Sequence, residues 1–599
     1  MKFCYTLDSV LTLASKTNLG GKIHCMHTAC SPTTYRSARG SAARARRAGL
    51  AAACLATAVA ACGGGGGGDA GTGPAPSPTP VVSPPVDVSA VAAADPGSTL
   101  PAGWQNGAFV EIFVRSYQDS DGDGVGDLRG LTSRLDYLRD LGVRGLWLMP
   151  VTASQDRDHG YAVKDYRAIE PQYGTLADFD ELLREAHARG IGVVIDYVIN
   201  HSAAENPLFQ NARRASSNPY RDWYLWQGLK PSGWSIYGND PWRGSVGNWY
   251  FAPFWDQMPD WNLTNPAVVA YHHDNLRFWL NRGTDGFRFD AVGNLVENGP
   301  GAWENQPQNS TVLQGARTLM NGYAQRFLVC EGPSAPFRYT GDCGSAFAFN
   351  NTANLIAAAK GDAAAVQRAA DYWKSAPAGM STMLSNHDSF AGERAFNQFN
   401  PTAGSTTLSP TQLAQYKLAA ATYLLQPGTP FIYYGEEIGM ARGTQSGDAG
   451  LRTPMSWSNT TGTAGFTSGT PYRSLSTNYT AFNAAAQQAD PNSLLAHYQA
   501  MLALRNGFPS IAAGSYENAT ASGTVMSFQR ALGDERTVVV INYGAGAATA
   551  TVGGLPANAV LVSAHPAGAA GLTVNASGSA SVPMDAQSVR VFRVRLPPA

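Results

Sequence analysis

The stretch Gly283-Thr284-Asp285-Gly286-Phe287-Arg288-Phe289-Asp290 reads as a buried strand that ends in a charged pair. Side chains alternate faces along a strand, so Phe287 and Phe289 point one way and Arg288 and Asp290 the other. A buried carboxylate beside a guanidinium stays ionised and fixed, as a nucleophile requires, although a structural ion pair would carry the same pattern. Similar groups close other apolar runs: Asp196 and then Asn200-His201, Glu331 after Val329-Cys330, and Asn386-His387-Asp388. Carboxylates, two histidines and an arginine gathered on one rim would serve nucleophilic and acid–base chemistry. Buried charges without partners are too costly for all of them to be filler.

Those groups need a scaffold that brings several strand ends together. Apolar strand-like runs at 108–114, 143–149, 191–197, 285–290, 326–331, 346–349, 381–386 and 430–434 alternate with helical spacing at 131–141, 176–189, 266–280 and 411–425. Eight strands alternating with helices predict an α/β fold, a (β/α)8 TIM barrel, whose active groups sit at the carboxyl ends of the strands. A doubly wound open sheet is the alternative, but no glycine-rich phosphate fingerprint follows the first strand. Residues 202–262, rich in Trp, Tyr, Pro and Gly, interrupt the alternation after the third strand and read as an inserted subdomain over the barrel mouth. Beyond a helix at 493–505, short β-branched runs separated by Gly and Asn turns predict a C-terminal all-β sandwich domain. The expected boundaries are 1–61 leader, 62–100 Gly/Pro-rich linker, 101–201 and 263–507 barrel, 202–262 insert (subdomain B) and 508–599 β domain.

Net charge of -1 excludes an electrostatic footprint for nucleic acid or an anionic membrane. Aromatic side chains are plentiful while charge is only 15%, which suits stacking on neutral rings. Arg36 to Arg47 form a basic region and Ala48 to Ala61 an apolar run too short to span a bilayer, the layout of an export signal. Val59-Ala60-Ala61-Cys62 resembles a bacterial lipobox, so Cys62 would carry the only membrane attachment, as an outer-membrane or cell-surface lipoprotein. Ordinary cleavage and secretion is the alternative. A Gly-run and a Pro-rich stretch follow as a tether. Behind the leader only Cys330 and Cys343 remain, and their spacing fits no zinc pattern; they admit either a disulfide or two buried thiols.

Asp196-Tyr197-Val198-Ile199-Asn200-His201, Gly286-Phe287-Arg288-Phe289-Asp290, Val329-Cys330-Glu331 and Ser385-Asn386-His387-Asp388 together resemble the four short sequence regions of the α-amylase family of retaining glycoside hydrolases. His159-Gly160-Tyr161, Gly435-Glu436-Glu437 and Arg452-Thr453-Pro454-Met455 extend the likeness. Met258-Pro259-Asp260-Trp261-Asn262 resembles a group lying between α-amylases and oligo-1,6-glucosidases. The resemblance implies Asp290 as nucleophile, Glu331 as acid and base, and Asp388 as the group that favours a distorted, oxocarbenium-like ring. It further implies that Arg288 keeps Asp290 ionised, that His201 and His387 bind the same sugar over a Tyr161 platform, and that Asp158 adds a contact at the non-reducing end. After Asp290, α-amylases often carry Lys and His at the third and fourth positions, where this chain has Gly293 and Asn294.

The loop Asp119-Ser120-Asp121-Gly122-Asp123-Gly124-Val125-Gly126-Asp127 follows the Ca²⁺-loop recipe, with Asp119, Asp121, Asp123, Asp127 and the Val125 carbonyl as ligands. Gly130 stands where an EF-hand has its bidentate Glu, and an Asp-rich solvated turn is the plainer alternative. Asn200 resembles a ligand of a second, interdomain Ca²⁺ site. The expectation is a monomeric α-amylase acting on internal α-1,4 bonds of starch-like glucans or maltooligosaccharides. The alternatives are an oligosaccharide α-glucosidase, exo-acting or α-1,6, a transglycosylase on the same groups, and a non-catalytic glucan-binding lipoprotein.

Overall fold

The computed structural model describes residues 86–596 apart from positions 246 and 403. The leader, the lipobox expectation at Cys62 and most of the tether lie outside the described residues. Eight parallel strands close into a barrel: β1 (Phe109–Ile112), β2 (Gly145–Leu148), β3 (Gly192–Tyr197), β4 (Gly286–Phe289), β5 (Phe327–Cys330), β6 (Ser345–Phe347), β7 (Met380–Thr382) and β8 (Thr429–Tyr433). Each strand pairs with its sequence neighbours and β8 pairs with β1, so the sheet has no open edge.

Strand alternation sorts the side chains. Val110, Leu146, Leu148, Val193, Ile195, Phe287, Phe289 and Leu328 face the helices, whereas Phe109, Trp147, Val194, Val329, Phe347 and Phe431 fill the interior. The same alternation turns Glu111, Asp196 and Arg288 inward at the layer above those rings, and Asp290 and Glu331 follow at the next inward positions. Trp104 and Leu100 plug the opposite end of the barrel. Gly192 permits that plug, since a Cβ there would stand 2.4 Å from the Trp104 ring. Residues 86–100 run along the outside, with Arg167 paired to Asp87 at 3.1 Å and Asn281 bonded to Ala94 N at 2.9 Å.

The helix expected at 131–141 is two helices, Leu128–Ser133 and Leu135–Leu141, broken at Arg134. Thr132 and Ser133 donate their hydroxyls to the carbonyls of Leu128 and Gly130, which competes with the helical ladder. In the insert, Trp226–Gln227, Trp242–Ser245 and Asn248–Phe251 form a three-stranded antiparallel sheet, with the last strand in the middle. Ile236, Trp242 and Phe251 make its own small core.

The C-terminal domain is a six-stranded antiparallel sheet of β9 (Ser515–Ser522), β10 (Val525–Leu532), β11 (Glu535–Asn542), β13 (Val560–His565), β14 (Leu572–Thr573) and β16 (Ser588–Arg595), ordered β9-β10-β11-β16-β13-β14. A second sheet pairs β12 (Ala548–Val552) with β15 (Ala580–Met584). Val538, Val540, Val552, Val582 and Phe592 fill the space between the two sheets. Met526, Phe528, Val539 and Ile541 face the other way and join the barrel's outer core. Cys330 and Cys343 are joined as a disulfide, which ties the end of β5 to the helix Pro336–Cys343, so the reading as two free thiols is set aside.

Candidate active site

Arg288 stands at the centre, fully buried, with its guanidinium 5.1 Å from the Trp147 ring. Its Nη1 donates to Asp290 Oδ1 at 2.7 Å and to both oxygens of Asp196 at 2.9 Å. Its Nη2 lies 2.7 Å from Glu331 Oε2. One guanidinium thus bridges Asp290 and Glu331 from its two ends. Glu331 Oε2 also accepts from Ala291 N at 3.0 Å, and Ala291 takes a left-handed φ of 48° to present that amide. A non-glycine residue held there marks strain stored beside the reacting groups.

The third carboxyl has different neighbours. Asp388 Oδ2 lies 3.0 Å from His387 Nε2, and Arg452 Nη2 donates to its Oδ1 at 2.8 Å. His387 Nδ1 lies 2.6 Å from Glu111 Oε1. The Tyr161 hydroxyl donates to Asp196 at 2.8 Å and lies 2.7 Å from His387 Nε2, with the two rings stacked 5.6 Å apart. Asp158 pairs with Arg473 Nη2 at 2.5 Å. His201 is buried, its ring 5.5 Å from Phe254, and its Nε2 is without a hydrogen-bond partner among the described residues.

These surroundings separate the titrations. Desolvation pushes Glu331 up to about 7 against the pull of Arg288, with Asp290 and Asp388 adding to the rise. Desolvation raises Asp290 to about 6, again opposed by Arg288, so the arginine moderates the rise at Asp290 without cancelling it. At Asp388 desolvation acts in the same sense, but His387 and Arg452 overcome it and hold the carboxyl well below the usual range. Desolvation would lower His387; Asp388 and Glu111 outweigh it and lift the imidazole to about 10. Burial drives His201 down to about 3, which leaves it neutral. The site therefore holds a carboxyl protonated near neutrality beside one that ionises below it, a split that acid–base and nucleophilic chemistry both use.

Asp119, Asp121 and Asp127 bring carboxylate oxygens within 4.8 Å of one another, and no ion pair among the described residues neutralises them. An all-oxygen set with two buried carboxylates fits a hard divalent cation. Asp123 stands outside this cluster: its Oδ1 accepts from Val125 N at 2.7 Å. Asp127 also caps the helix Leu128–Ser133 through Gly130 N at 2.7 Å. Asn200 Oδ1 and both carboxyl oxygens of Asp260 are buried, and nothing in the geometry gathers them into a cation site. Burial pushes Asp260 and the neighbouring Glu297 well above the usual carboxyl range.

Sequence reasoning had no role for Glu111, Arg473 or Asp260. A lone Glu within the apolar run Phe109 to Val114 was the signal for the first. Nothing local marks Arg473, which reaches Asp158 from 315 residues away in the chain.

The family profile described as "Alpha amylase, catalytic domain" matches residues 111–514. An oligo-1,6-glucosidase of Parageobacillus thermoglucosidasius is 31% identical over 518 residues, covering 74% of this chain and 90% of that relative. Alpha-amylase 3 of Dictyoglomus thermophilum is 32% identical over 444 residues, covering 73% and 85% respectively. Among solved structures, the trehalulose synthase MutB from Pseudomonas mesoacidophila MX-45 aligns with a TM-score of 0.69 at 27% identity, over 83% of this chain and 100% of that one.

Proposed function

Because the chain belongs to the α-amylase family of glycoside hydrolases, we propose that it hydrolyses α-1,4-glucosidic bonds within maltooligosaccharides and starch-like glucans, with retention at the anomeric carbon. The observation that carries the reading is the Asp290–Arg288–Glu331 bridge, a closely held carboxyl pair with one member raised to about 7. In the first step an Asp290 oxygen attacks the anomeric carbon, the bond to the leaving oxygen breaks, and the Glu331 proton passes to that oxygen. In the second step water attacks the same carbon, its proton returns to Glu331, and the Asp290 ester is released. Asp388, fixed as an anion between His387 and Arg452, binds sugar hydroxyls as the ring flattens. His201 supplies a hydrogen bond beside the Tyr161 ring, and Asp158 meets the non-reducing end. His387 has both ring nitrogens taken by Glu111, Asp388 and Tyr161 and so acts by fixing Asp388.

A second reading, release of glucose from chain ends, is favoured by Arg473. Its ion pair with Asp158, braced by the Arg473 guanidinium over Tyr472 at 5.2 Å, would hold in place the carboxylate that this reading sets at the non-reducing end of the sugar. Products released from soluble starch at early times separate the two. A mixed maltooligosaccharide ladder supports internal cleavage, glucose alone supports the second reading, and no reducing sugar at all overturns both.

We also propose Ca²⁺ at the Asp119–Asp127 loop, where it would stiffen the turn that carries Asp127 into the following helix. Binding to the native state raises stability by mass action, so chelation lowers the melting temperature. In an Asp121→Ala variant that shift shrinks; an equal shift in parent and variant counts against this loop.

A further inference from the structure

The tip of the insert is a tight turn in which Ile236 N donates to Asn239 O at 2.8 Å and Asn239 N returns the bond to Ile236 O at 2.9 Å. Its two central residues, Tyr237 at φ 50° and Gly238 at φ 82°, both lie in the left-handed region. Such turns favour Asn, Asp or Gly at the first of these positions, because a Cβ is strained there. A bulky tyrosine in that conformation is a conspicuous choice, and strain of this kind gathers at working sites.

The surroundings say what the tyrosine works on. Its ring meets Trp303 edge-on at 5.2 Å and Phe254 at 6.1 Å, and Phe254 in turn lies 5.5 Å from His201. Its hydroxyl donates to Asn294 Oδ1 at 3.1 Å. Asn294 ends the short helical segment Val292–Asn294 that follows Ala291, whose amide holds Glu331. Tyr237 therefore hangs over the same side of the cleft as Glu331, the side from which the leaving group departs and the acceptor enters. Gly293 and Asn294 place no charge there themselves; the nearest carboxylate, Glu304, would stand 3.7 Å from a Cβ at Gly293 and accepts from Ser334, so ring faces share this side with a few polar groups.

We infer that Tyr237 is a specificity-determining residue for the second half of the reaction, stacking on an incoming glucosyl ring and so favouring a sugar hydroxyl over water. This rests on the retaining reading above. In the transfer step the acceptor oxygen bonds to the anomeric carbon, the Asp290 ester bond breaks, and the acceptor's hydroxyl proton goes to Glu331. An aromatic face stabilises a ring but offers water nothing, which is why its loss should change the partition.

The test uses p-nitrophenyl α-glucoside at millimolar concentration, as donor and acceptor together, with the full chain and its Tyr237→Asn variant. Each nitrophenol released reports one glucosyl-enzyme; free glucose counts those taken by water, and the difference counts those taken by sugar. The ratio of the two fates is independent of how fast the intermediate forms, so a merely structural role for Tyr237 would slow release and leave the ratio unmoved. Asn suits the turn, and it should lower the transfer-to-hydrolysis ratio by about tenfold. Should that variant fail to fold, Tyr237→Phe, which keeps the ring and loses the bond to Asn294, should lower the ratio by about threefold. An unchanged ratio in the folded variant, or a parent that gives no transfer product, overturns the inference. A parent that releases no nitrophenol from this donor and no reducing sugar from soluble starch defeats the underlying functional reading instead.

Discussion

Asp388 and Glu436 follow adjacent barrel strands, both are carboxyls set in low-dielectric surroundings, and they are driven to opposite charge states. Asp388, after β7, sits between the imidazolium of His387 and the guanidinium of Arg452 and is held ionised far below neutrality. Glu436, after β8, meets only hydroxyls: Tyr423 and Tyr498 donate to its Oε1 at 2.7 Å each, and Ser385 lies at 3.4 Å. Burial therefore carries it up to about 7. Asp290 and Glu331 fall between these extremes because they share a single arginine, which Asp196 also claims. Burial alone does not set the charge; the number of cations per carboxylate does. Two carboxyls that share one cation with a third titrate near neutrality, and the proposed retaining hydrolysis needs one of them ionised while the other holds its proton.

The largest disruption is removal of either shared carboxyl. Asp290→Asn and Glu331→Gln should each lower kcat/KM on starch by at least about a thousandfold while leaving the melting temperature close to that of the parent. With an activated nitrophenyl glucoside, Glu331→Gln should lose much less in glycosyl-enzyme formation, since that leaving group needs no proton. Activity of either variant on starch within tenfold of the parent would remove the pair from the chemistry. In the parent the kcat/KM profile should be a bell with limbs set by the pair at about 6 and about 7, activity falling at acid pH as Asp290 gains its proton and at alkaline pH as Glu331 loses its own.

Next in size is the cation that fixes Asp388. Glu111 touches no substrate; it acts on His387 from 2.6 Å. In Glu111→Gln the imidazolium loses one of two anions that raise it, so its pKa falls toward neutrality and Asp388 loses its partner as the pH rises. A loss of roughly a hundredfold in kcat/KM at pH 8, with a much smaller loss at pH 5.5, is the expected signature of this positioning role. A uniform loss at both pH values would mean that Glu111 only packs.

How much of this could be read from the chain depends on the range of the interaction. The barrel was legible because strand and helix periodicities alternate, and strand parity alone turns Arg288 and Asp290 inward. The four charged motifs that meet on the rim are local in sequence, so Asp290, Glu331, Asp388 and their histidines could be named before any geometry. Glu111 stands out as a lone carboxylate in an apolar run, but its partner lies 276 residues away, so nothing local gives it a role. Arg473 and Tyr237 owe their positions to chain closure over long separations, which no window captures. In the β domain the sequence points to strands at 523–530, 537–542, 560–563 and 589–594 but not to β9, β12, β14 or β15. Short or Ser-, Ala- and Thr-rich half-exposed strands carry little β signal. The cysteine pair could not be decided either, since spacing does not say whether two Cα atoms come to 6.2 Å.

The smallest expected effect lies at the cation-free end of the comparison, and it concerns stability. Glu436 has a folded pKa of about 7, raised first by desolvation and further by the adjacent Glu437, above an ordinary value of 4.5. A group raised in this way contributes stability that is fully present below the unfolded pKa and is lost as pH rises through the folded one, here between about 4.5 and about 7. Glu436→Gln keeps the volume, leaves Oε1 to accept from both tyrosines and lets the amide donate to Ser385, with no proton to lose. The variant should match the parent at pH 4.5 or below and exceed it by about 3 kcal/mol at pH 8.5 in urea unfolding. An advantage of equal size at both pH values would show that Glu436 is not the titrating group. A variant weaker at pH 8.5 would show instead that the carboxylate finds a cation there, and Glu436 would then belong with Asp388.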